Sequence, residues 1–386
     1  MAQTFATEYS SREITRDPTV RAFIDNTLTD LVHELSLSPT EAHPSITLKR
    51  RANPAACVIN PINGALEANL RAETYKTYSW PGTTAFEAWK FTVILRILAI
   101  IDKAIRSGQS ISKRDIYYID PQYFRSQQTV NGVIDDLVYT IGVDRAALNV
   151  EAAAKGLIAG CLRLIRDSQV VVNAQSATED TLIPRIENDD EIDISRARWV
   201  LVIEKEAIFH RLARSNYHNR AIAGEGILVT GKGYPDLSTR EFLHKLSNVA
   251  SNQNRPPLRF YGLTDGDPHG MAILSTYKYG SAAHVHENAR LILPRLQWLG
   301  VRVTDIIAVP DAPGYKALLS LTPQDRSKIV AMLRNSPVWA SDGPALEWRV
   351  ELQRMLMLNL KAEIEILYEC VGGLEGWIDR RMFRQE

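Results

Sequence analysis

Apolar residues in the second half of the chain come in short unbroken runs that alternate with segments of helical pattern. The runs begin at Trp199 with "WVLVI", at Ile227 with "ILVT" and at Leu258 with "LRFYGL", and a fourth is "VRVTDIIAVP" at 301–310. Short continuous runs of this kind are typical of strands that are buried on both faces. Their alternation with helices predicts a mostly parallel sheet covered by helices.

Helical periodicity dominates the first half of the chain instead. Apolar residues at helical spacing predict a helix within 1–37, and a longer helix is predicted over 83–108, between a Pro-Gly turn and a glycine. Short helices separated by turn residues come after it. The stretch 172–198 is polar and rich in acidic residues, which predicts a junction between two domains in or near it. The fold class predicted for the whole chain is therefore mixed α/β.

Length and composition narrow the possible classes of protein. A chain of 386 residues is long enough for two domains, and its 45 basic side chains balance 45 acidic ones, so any nucleic-acid surface must come from local clustering. The three cysteines are far apart and form no CxxC pair, which indicates a reducing compartment. The first residues do not resemble a secretory signal, and charged residues interrupt the most apolar stretch, 86–101. We expect a soluble intracellular protein that does not enter a membrane.

Acidic residues follow two of the predicted strands. Glu204 ends the run that begins at Trp199, and Asp265 and Asp267 end the run that begins at Leu258. The carboxyl ends of parallel strands meet at one edge of a sheet, so the three carboxylates are predicted to lie together. With no cysteine pair or compelling histidine cluster, this donor set favours a hard divalent cation such as Mg²⁺. An isolated DGD would more often be a turn with helix N-caps, but Glu204 and the strand order favour the metal site.

The stretch "GILVTGKG" at 226–233 nearly matches the phosphate-binding loop GxxxxGK[ST]. The residue after Lys232 is Gly233, so the hydroxyl that binds Mg²⁺ in such loops is missing, and the residues before the loop have the character of a strand. Nucleotide hydrolysis is therefore not predicted. Lys232 lies on a turn flanked by glycines, where we expect it to contact a phosphate.

A pair of tyrosines in "SKRDIYYIDP" at 112–121 is the other candidate for chemistry. A tyrosine hydroxyl is a weak nucleophile at its ordinary pKa and needs cationic neighbours or a metal-bound phosphate. Lys113 and Arg114 place positive charge just before Tyr117 and Tyr118. Taken alone, a tyrosine pair is more often part of a packed core, so its meaning depends on the other motifs.

Several of these stretches occur together in one known family. In chain order, the chain contains the motifs "KRDIYY", "KGLIAG", "VIEKEAIFHRL", "GKGYPDLSTREFLHKL" and "YGLTDGDPHG". This combination resembles the topoisomerase VI A-subunit family, and more narrowly its eukaryotic meiotic branch, whose members make the DNA double-strand breaks that initiate recombination. The resemblance extends from about residue 80 to about residue 310, so it includes neither 1–75 nor the C-terminal part of the chain.

The resemblance implies a domain organisation. A winged-helix DNA-binding domain at 76–185 would carry the nucleophile. A Toprim domain with a mostly parallel sheet would follow at 190–386, together with C-terminal helices. Residues 1–75, which the resemblance does not include, are expected to form an N-terminal extension that docks a partner.

The same resemblance implies the roles of individual residues. The second tyrosine of the pair, Tyr118, takes the place of the nucleophile, and Arg114 that of an arginine that activates the phosphate. Glu204 takes the place of a glutamate that is both catalytic and metal-binding, and Asp265 and Asp267 complete a site for Mg²⁺. None of the five positions departs from the family pattern.

The family further implies a reaction and partners. Tyr118 would attack a phosphate of double-stranded DNA, the 3′ oxygen would leave, and a 5′-phosphotyrosyl link would form. Each active site of the family is built from two protomers, which implies a homodimer. No ATPase is visible in this chain, and the family implies a separate topoisomerase VI B-like subunit, other meiotic accessory proteins and a nuclear location.

Contacts to DNA are predicted at basic residues near these motifs, despite the zero net charge. These residues are Lys113, Lys155, Arg163, Arg166 and Lys232. Two other classes of function stay open. One is a Toprim metal-dependent nuclease or primase-like enzyme whose tyrosines only pack, and the other is a non-catalytic DNA-binding subunit. The presence of all five chemical residues argues against the non-catalytic subunit, and a covalent protein–DNA adduct would separate the enzyme that uses tyrosine from the nuclease.

Overall fold

The structure of the protein is a computed structural model. It describes residues 18–38, 40–51, 56–69, 74–151, 154–176, 181–187, 189–252, 258–307 and 317–384. The chain divides into two compact units. The first combines Met1–Arg51 with Thr74–Glu151, and the second combines Ala52–Glu73 with Ala152–Glu386.

Helices and strands both contribute to the described residues, which confirms the predicted mixed α/β class. The α-helices are α1 (Pro18–Ser36), α2 (Ala85–Ser107), α3 (Lys113–Ile119), α4 (Pro121–Phe124), α5 (Gln127–Ile141), α6 (Glu206–Arg214), α7 (Tyr217–Arg220), α8 (Leu237–Asn252), α9 (Pro268–Lys278), α10 (Val303–Ile307), α11 (Pro323–Asn335), α12 (Leu346–Leu358) and α13 (Gly373–Arg384). Short 3₁₀ helices occupy Arg145–Leu148, Ala174–Ser176, Ala282–His284, Asn288–Arg290, Pro337–Trp339 and Ile364–Glu369.

The strands are mostly short. They are β1 (Ser45–Arg50), β2 (Cys57–Ile59), β3 (Leu66–Ala68), β4 (Thr74–Ser79), β5 (Ile111–Ser112), β6 (Val150–Glu151), β7 (Leu157–Gly160), β8 (Arg163–Arg166), β9 (Gln169–Asn173), β10 (Thr181–Leu182), β11 (Glu191–Asp193), β12 (Trp199–Ile203), β13 (Gly226–Thr230), β14 (Arg259–Leu263), β15 (Leu296–Gly300), β16 (Leu319–Ser320) and β17 (Leu360–Lys361).

Helix α2 forms the centre of the first unit and confirms the helix predicted over 83–108. The Thr84 side chain caps its N-terminus by accepting from the Glu87 N–H, and Gly108 ends it in a left-handed conformation with φ 68°. Its apolar face packs into one core with residues of α1, α3 and α5. Among the described residues, no helix is both long and apolar enough to cross a membrane.

The second unit is built on a six-stranded sheet with the order β10-β7-β13-β12-β14-β15. Strands β13, β12, β14 and β15 are parallel to one another, while β7 and β10 pair antiparallel at one edge. All five residues of β12 are buried, as expected for a strand with both faces covered. The prediction of a mostly parallel sheet with covering helices is therefore confirmed.

The fourth predicted strand was placed too late in the chain. The strand beside β14 is β15, Leu296–Gly300, and part of the predicted run forms helix α10 at Val303–Ile307. The last three residues of that run lie outside the described residues. In the preceding segment "LQWLG", Leu296, Trp298 and Leu299 are all buried, so this run supplies the strand that the sheet requires.

The compact units divide the chain at other positions than the predicted domains. Strand β7 falls within 76–185 by sequence, but it pairs with β13 and so belongs to the sheet of the second unit. Strand β11 pairs with β8 across the predicted junction. In the first unit, β1 pairs with β4, which joins the predicted N-terminal extension to the start of the predicted winged-helix domain. These pairings join residues that are far apart in sequence. The local composition of 172–198, on which the predicted boundary was based, contains no information about them.

Candidate active site

The register of the parallel sheet brings the predicted carboxylates to one edge. Ile203 at the end of β12 pairs with Thr230 of β13 on one side and with Leu263 of β14 on the other. Glu204, the next residue, continues this alignment because its N–H donates to the Leu263 carbonyl at 3.0 Å. Its own carbonyl accepts from the Gly233 N–H at 2.9 Å. The glycine loop after β13 therefore lies beside Glu204.

Glu204 and Asp265 are in direct contact. The Glu204 Oε2 atom accepts from the backbone N–H of Asp265 at 2.9 Å. Burial, followed by the charge of Asp265, raises the pKa of Glu204 to about 8 from its ordinary value of 4.5. A carboxyl with this pKa is largely protonated at neutral pH unless a cation replaces the proton.

Asp265 is buried and is held at both carboxylate oxygens. Its Oδ2 lies 3.1 Å from the Lys205 ammonium, and its Oδ1 accepts from the backbone N–H of Ile364 at 2.9 Å. Burial raises the pKa of Asp265 to about 6, although the Lys205 charge and the Ile364 N–H both act to lower it. Asp265 is therefore rigidly placed in a site where negative charge is costly.

Asp267 has a structural role in addition to its predicted one. It is the N-cap of α9, and its Oδ1 accepts from the Gly270 N–H at 2.7 Å. The turn with a helix N-cap, which the sequence offered as the alternative to a metal site, is therefore present. The two roles are compatible because a cap uses one carboxylate oxygen. No hydrogen bond to its Oδ2 is present among the described residues.

The chemistry of the three carboxylates suits Mg²⁺, which prefers hard oxygen ligands and keeps water or phosphate in its other positions. Burial raises the pKa values of Glu204 and Asp265, and repulsion between the carboxylates adds to this effect, so a bound cation would relieve part of the cost of their negative charge. Within the described residues, however, no group of three or more His, Cys, Asp or Glu side chains is arranged to hold a metal ion. The donor types therefore fit the cation, and the ligand set remains a prediction.

The predicted nucleophile lies in the first unit, on helix α3. Ser112 and Asp115 form a capping box that starts this helix just before Lys113. Tyr118 is 59% exposed, whereas Tyr117 is partly buried and packs against the core of the unit. The Arg114 guanidinium lies 5.8 Å from the centre of the Tyr118 ring, so the cation and the hydroxyl-bearing side chain are neighbours.

Lys113 faces the interior of the unit instead of the solvent. Its ammonium pairs with Asp135, which also accepts from Arg145 at 2.8 Å and lies 3.5 Å from Arg51. Burial lowers the pKa of Lys113 to about 8. These contacts argue against the predicted role of Lys113 in binding DNA, since its charge is already neutralised in a largely buried cluster.

The other basic residues predicted to contact DNA differ in whether their charge is already paired with a carboxylate. Lys155 is exposed and donates to the Lys232 carbonyl at 3.3 Å, so these two residues lie together. The Lys232 ammonium lies 2.8 Å from Glu206, on the helix that follows Glu204. Arg163 pairs with Asp193, and Arg166 pairs with Asp190 and Glu187. A DNA phosphate would have to compete with these carboxylates at every one of these residues except Lys155.

Several residues around the carboxylates escaped the sequence prediction. Lys205 directly follows Glu204, and this adjacency is the only signal that the sequence offered for it. Ile364 and Lys361 come from the last part of the chain, where no motif was identified from the sequence. Lys328 donates to the Tyr234 hydroxyl at 2.8 Å and lies 3.0 Å from Nδ1 of His269, the second residue of helix α9.

Comparisons with known proteins identify the family of the chain. The Toprim-domain model of the topoisomerase 6 A-subunit/Spo11 family matches 199–371, and the model "Type IIB DNA topoisomerase" matches 89–150. "Meiotic recombination protein rec12" of Schizosaccharomyces pombe is 37% identical over 361 residues, which cover 92% of this chain and 93% of the relative. The chain belongs to the topoisomerase VI A-subunit/Spo11 family.

Other members of the topoisomerase VI A-subunit/Spo11 family show the same relationship. "Meiotic recombination protein SPO11" of Homo sapiens is 33% identical over 350 residues, covering 90% of this chain and 83% of the relative. The DNA topoisomerase 6 A-subunit of Arabidopsis thaliana is 33% identical over 281 residues, covering 72% of this chain and 62% of the relative. The family resemblance stated from the motifs is thereby confirmed, and it extends well beyond the 80–310 that the motifs suggested.

The family matches include the predicted chemical residues. Tyr118 and Arg114 fall within 89–150, and Glu204, Asp265 and Asp267 fall within 199–371. The match over 199–371 identifies a Toprim domain, and it extends past Ile364 into the part of the chain that carried no recognised motif. The winged-helix character of the first unit stays a prediction.

Proposed function

We propose that this protein makes DNA double-strand breaks that initiate meiotic recombination, by a topoisomerase-like transesterification. Tyr118 is the nucleophile, and Glu204, Asp265 and Asp267 form a Mg²⁺ site. The observation that carries the proposal is the contact of Glu204 with the Asp265 backbone N–H at the carboxyl edge of the parallel sheet, within the match to the Toprim domain. The relatives named as meiotic recombination proteins supply the biological setting.

Tyr118 performs the covalent step in this proposal. Its hydroxyl oxygen attacks a backbone phosphorus atom, the P–O bond to the 3′ oxygen breaks, and a 5′-phosphotyrosyl bond forms. The hydroxyl gives up its proton to water, and the leaving 3′ oxygen takes up a proton from water. The exposure of Tyr118 supports this assignment, because the half-buried Tyr117 packs against the core and is less accessible to DNA.

Arg114 stabilises the charge that develops on the phosphate. Its guanidinium lies near the Tyr118 ring, so it can neutralise non-bridging oxygens and orient the phosphate for attack. Bound Mg²⁺ would act as a Lewis acid on the phosphoryl oxygen and stabilise the leaving oxygen. Glu204 and Asp267, whose carboxylates retain unbonded oxygens among the described residues, hold the cation, together with Asp265.

The active unit in this proposal is a homodimer on double-stranded DNA. Tyr118 of one protomer reacts at the carboxylates of the other, and two such sites cut both strands. Lys155 and Lys232 contact the DNA backbone near the carboxylates, and Arg163 lies further along the same unit. Meiotic accessory proteins and a topoisomerase VI B-like subunit are the proposed partners. The nucleus is the proposed location.

A covalent adduct with DNA tests this function directly. Purified protein, alone or with its partner subunit, is incubated with end-labelled duplex DNA and Mg²⁺, denatured, and separated on a gel. We expect labelled DNA to migrate with the protein chain. Tyr118→Phe should abolish the adduct while DNA binding and thermal stability stay unchanged, because only an exposed hydroxyl is lost.

Tyr117→Phe is the matched control and should retain at least part of the adduct. Cleavage without any adduct would favour the metal-dependent nuclease, in which the tyrosines only pack. DNA binding with neither product, even in the presence of the partner subunit, would favour the non-catalytic subunit. An adduct that survives Tyr118→Phe would show that another residue is the nucleophile.

A further inference from the structure

A segment near the C-terminus pairs with the loop that carries the two aspartates. Ala362 and Gly266 form an isolated antiparallel bridge, in which the Gly266 N–H donates to the Ala362 carbonyl at 2.7 Å and the Ala362 N–H donates back at 3.1 Å. Gly266 is the residue between Asp265 and Asp267. The backbone of the aspartate loop is therefore fixed by residues almost one hundred positions later in the chain.

The same segment also binds the Asp265 carboxylate itself. The Ile364 N–H donates to Oδ1 at 2.9 Å, and the Ile364 side chain is fully buried. Lys205, which approaches Oδ2 at 3.1 Å, is held in turn by Glu365 at 2.6 Å and by Glu363 at 3.6 Å. Both oxygens of Asp265 are thus positioned, directly or through Lys205, by residues 363–365.

The close approach explains why a glycine separates the aspartates. A Cβ at Gly266 would lie 2.9 Å from the Val301 carbonyl oxygen and 3.3 Å from the Ala362 Cβ. A side chain at this position would clash with the Val301 carbonyl and crowd Ala362 of the C-terminal segment. The glycine of "DGD" therefore lets the loop fit between the Val301 carbonyl and Ala362.

The C-terminal segment is itself anchored before it reaches the site. Strand β17 pairs with β16, and the Lys361 ammonium lies 2.9 Å from Asp325 in the first turn of α11. Asp325 is buried and forms a capping box with Thr322, so its position is set independently of the aspartate loop. The segment can act as a fixed support because it is tied down on its far side.

We propose that residues 360–365, here called the C-terminal clamp, position Asp265 and the aspartate loop for metal binding. This inference rests on the proposed function, since it assigns the clamp to the Mg²⁺ site. Ile364 acts through its backbone N–H, and Lys205 acts as a second positioning residue between the clamp and Asp265. Ordering the ligands before the cation arrives lowers the entropic cost of binding it.

A proline at position 364 removes the N–H that binds Asp265 and also shortens a buried side chain. Ile364 is the first residue of its 3₁₀ helix, where proline is tolerated, and Glu363 has φ −94° and ψ 153°, which suits a residue before proline. Ile364→Val is the matched control, because it has a side chain of similar size to proline and retains the N–H. The charge of the site is the same in both variants.

Two measurements on the full-length protein test the clamp. The first is amide hydrogen exchange of peptides spanning 263–267 without metal, which reports on the order of the loop. The second is Mg²⁺ affinity from the rise of the melting temperature with Mg²⁺ concentration. For Ile364→Pro we expect exchange of the loop at least fivefold faster, and Mg²⁺ affinity three- to tenfold weaker, than for Ile364→Val.

Equal exchange and equal Mg²⁺ affinity in the two variants would overturn the clamp. Failure of the clamp can be told apart from failure of the proposed function. A wild-type protein whose melting temperature does not respond to Mg²⁺ would contradict the metal site itself. The hydrogen-exchange measurement tests the clamp without any metal. If Ile364→Pro does not fold, Lys205→Met replaces it, with Lys205→Arg as the conservative variant. Faster loop exchange in Lys205→Met that Lys205→Arg restores would support the clamp, and unchanged exchange would contradict it.

Discussion

The pKa of Glu204 changes when the chain folds, because folding buries its carboxyl beside Asp265. In the unfolded chain its pKa has the ordinary value of 4.5, and in the folded protein burial and the neighbouring Asp265 raise it to about 8. Between these pH values the folded protein retains a proton that the unfolded chain has released. Stability contributed by this group is therefore present at low pH and is lost as the pH rises toward 8.

Glu204→Gln should remove this pH dependence in the metal-free protein. The amide carries no charge, so we expect the variant to be more stable than the wild type by about 2 kcal/mol at pH 9 and by much less at pH 5. Urea unfolding in the presence of a chelator at the two pH values measures the difference. A stability difference that is the same at both pH values would contradict the raised pKa of Glu204.

Asp267 combines two roles that two substitutions can separate. Asp267→Asn retains an oxygen for the Gly270 N–H and should leave metal-free stability nearly unchanged, whereas Asp267→Ala loses the cap and should cost about 1 kcal/mol. Both variants lose a charged ligand, so both should show a smaller rise in melting temperature on addition of Mg²⁺. Melting curves with Mg²⁺ and with chelator measure both effects.

The two parts of this prediction fail separately. Equal metal-free stability of Asp267→Ala and Asp267→Asn would show that the cap contributes nothing. A full Mg²⁺ response in Asp267→Asn would remove Asp267 from the ligand set while leaving its capping role intact.

At the scale of elements, the site depends on how closely helix α9 approaches the strands. Gly270, in its first turn, has no side chain, and a Cβ there would lie 2.3 Å from the Asp265 carbonyl oxygen and 3.0 Å from the Glu204 Oε2. The N-terminus of α9 can therefore rest directly on the strand ends. A helix N-terminus carries partial positive charge, which stabilises the nearby carboxylates.

Gly270→Ala should push the N-terminus of helix α9 away from the strand ends. We expect a loss of about 1–3 kcal/mol of unfolding free energy, because backbone atoms must move to admit the methyl group. The matched control is Gly376→Ala within α13, where the nearest atom to a new Cβ is 3.5 Å away. This substitution should stabilise the protein by about 0.5–1 kcal/mol. Thermal or urea unfolding of both variants measures the contrast, and a Gly270→Ala protein as stable as the wild type would contradict the close approach.

At the scale of the whole molecule, the two kinds of chemistry belong to different compact units. Tyr118 and Arg114 are in the first unit, and the three carboxylates are in the second. In the proposed homodimer, one protomer supplies the tyrosine and its partner supplies the metal site. This arrangement would make cutting of both strands depend on dimerisation.

A mixture of two inactive variants tests the shared site. If each site takes its tyrosine from one protomer and its metal site from the other, a dimer of one Tyr118→Phe chain and one Glu204→Ala chain has one site with both lesions and one site with neither. The intact site should cut one strand, so we expect nicked DNA from the mixture and none from either variant alone. Double-strand breaks should stay absent, because the second site lacks both groups.

Differential tags on the two chains confirm that mixed dimers are present. If each site were built within one protomer, every site in the mixture would carry one lesion and no nick would form. Confirmed mixed dimers without nicks would therefore rule out sharing of sites between protomers.

The sequence by itself determined the features that depend on local pattern. Helix α2 follows from its periodic apolar face and its two caps, and strands β12, β13 and β14 follow from continuous apolar runs. Because parallel strands end at a common edge, the proximity of Glu204 to Asp265 also followed from where the runs stopped. The order of the motifs was enough to recognise the family, which the comparisons confirmed.

Only the tertiary structure decided how these side chains are held. The Ile364 N–H reaches Asp265 across 99 positions of sequence, and Lys113 turns inward to Asp135 across 22. β-Bridges, ion pairs and burial of this kind join segments that have no pattern in common, so a local reading cannot report them. The same reason explains the different division of the chain, since β7 reads as part of the first domain and finds its hydrogen-bond partners in the second unit.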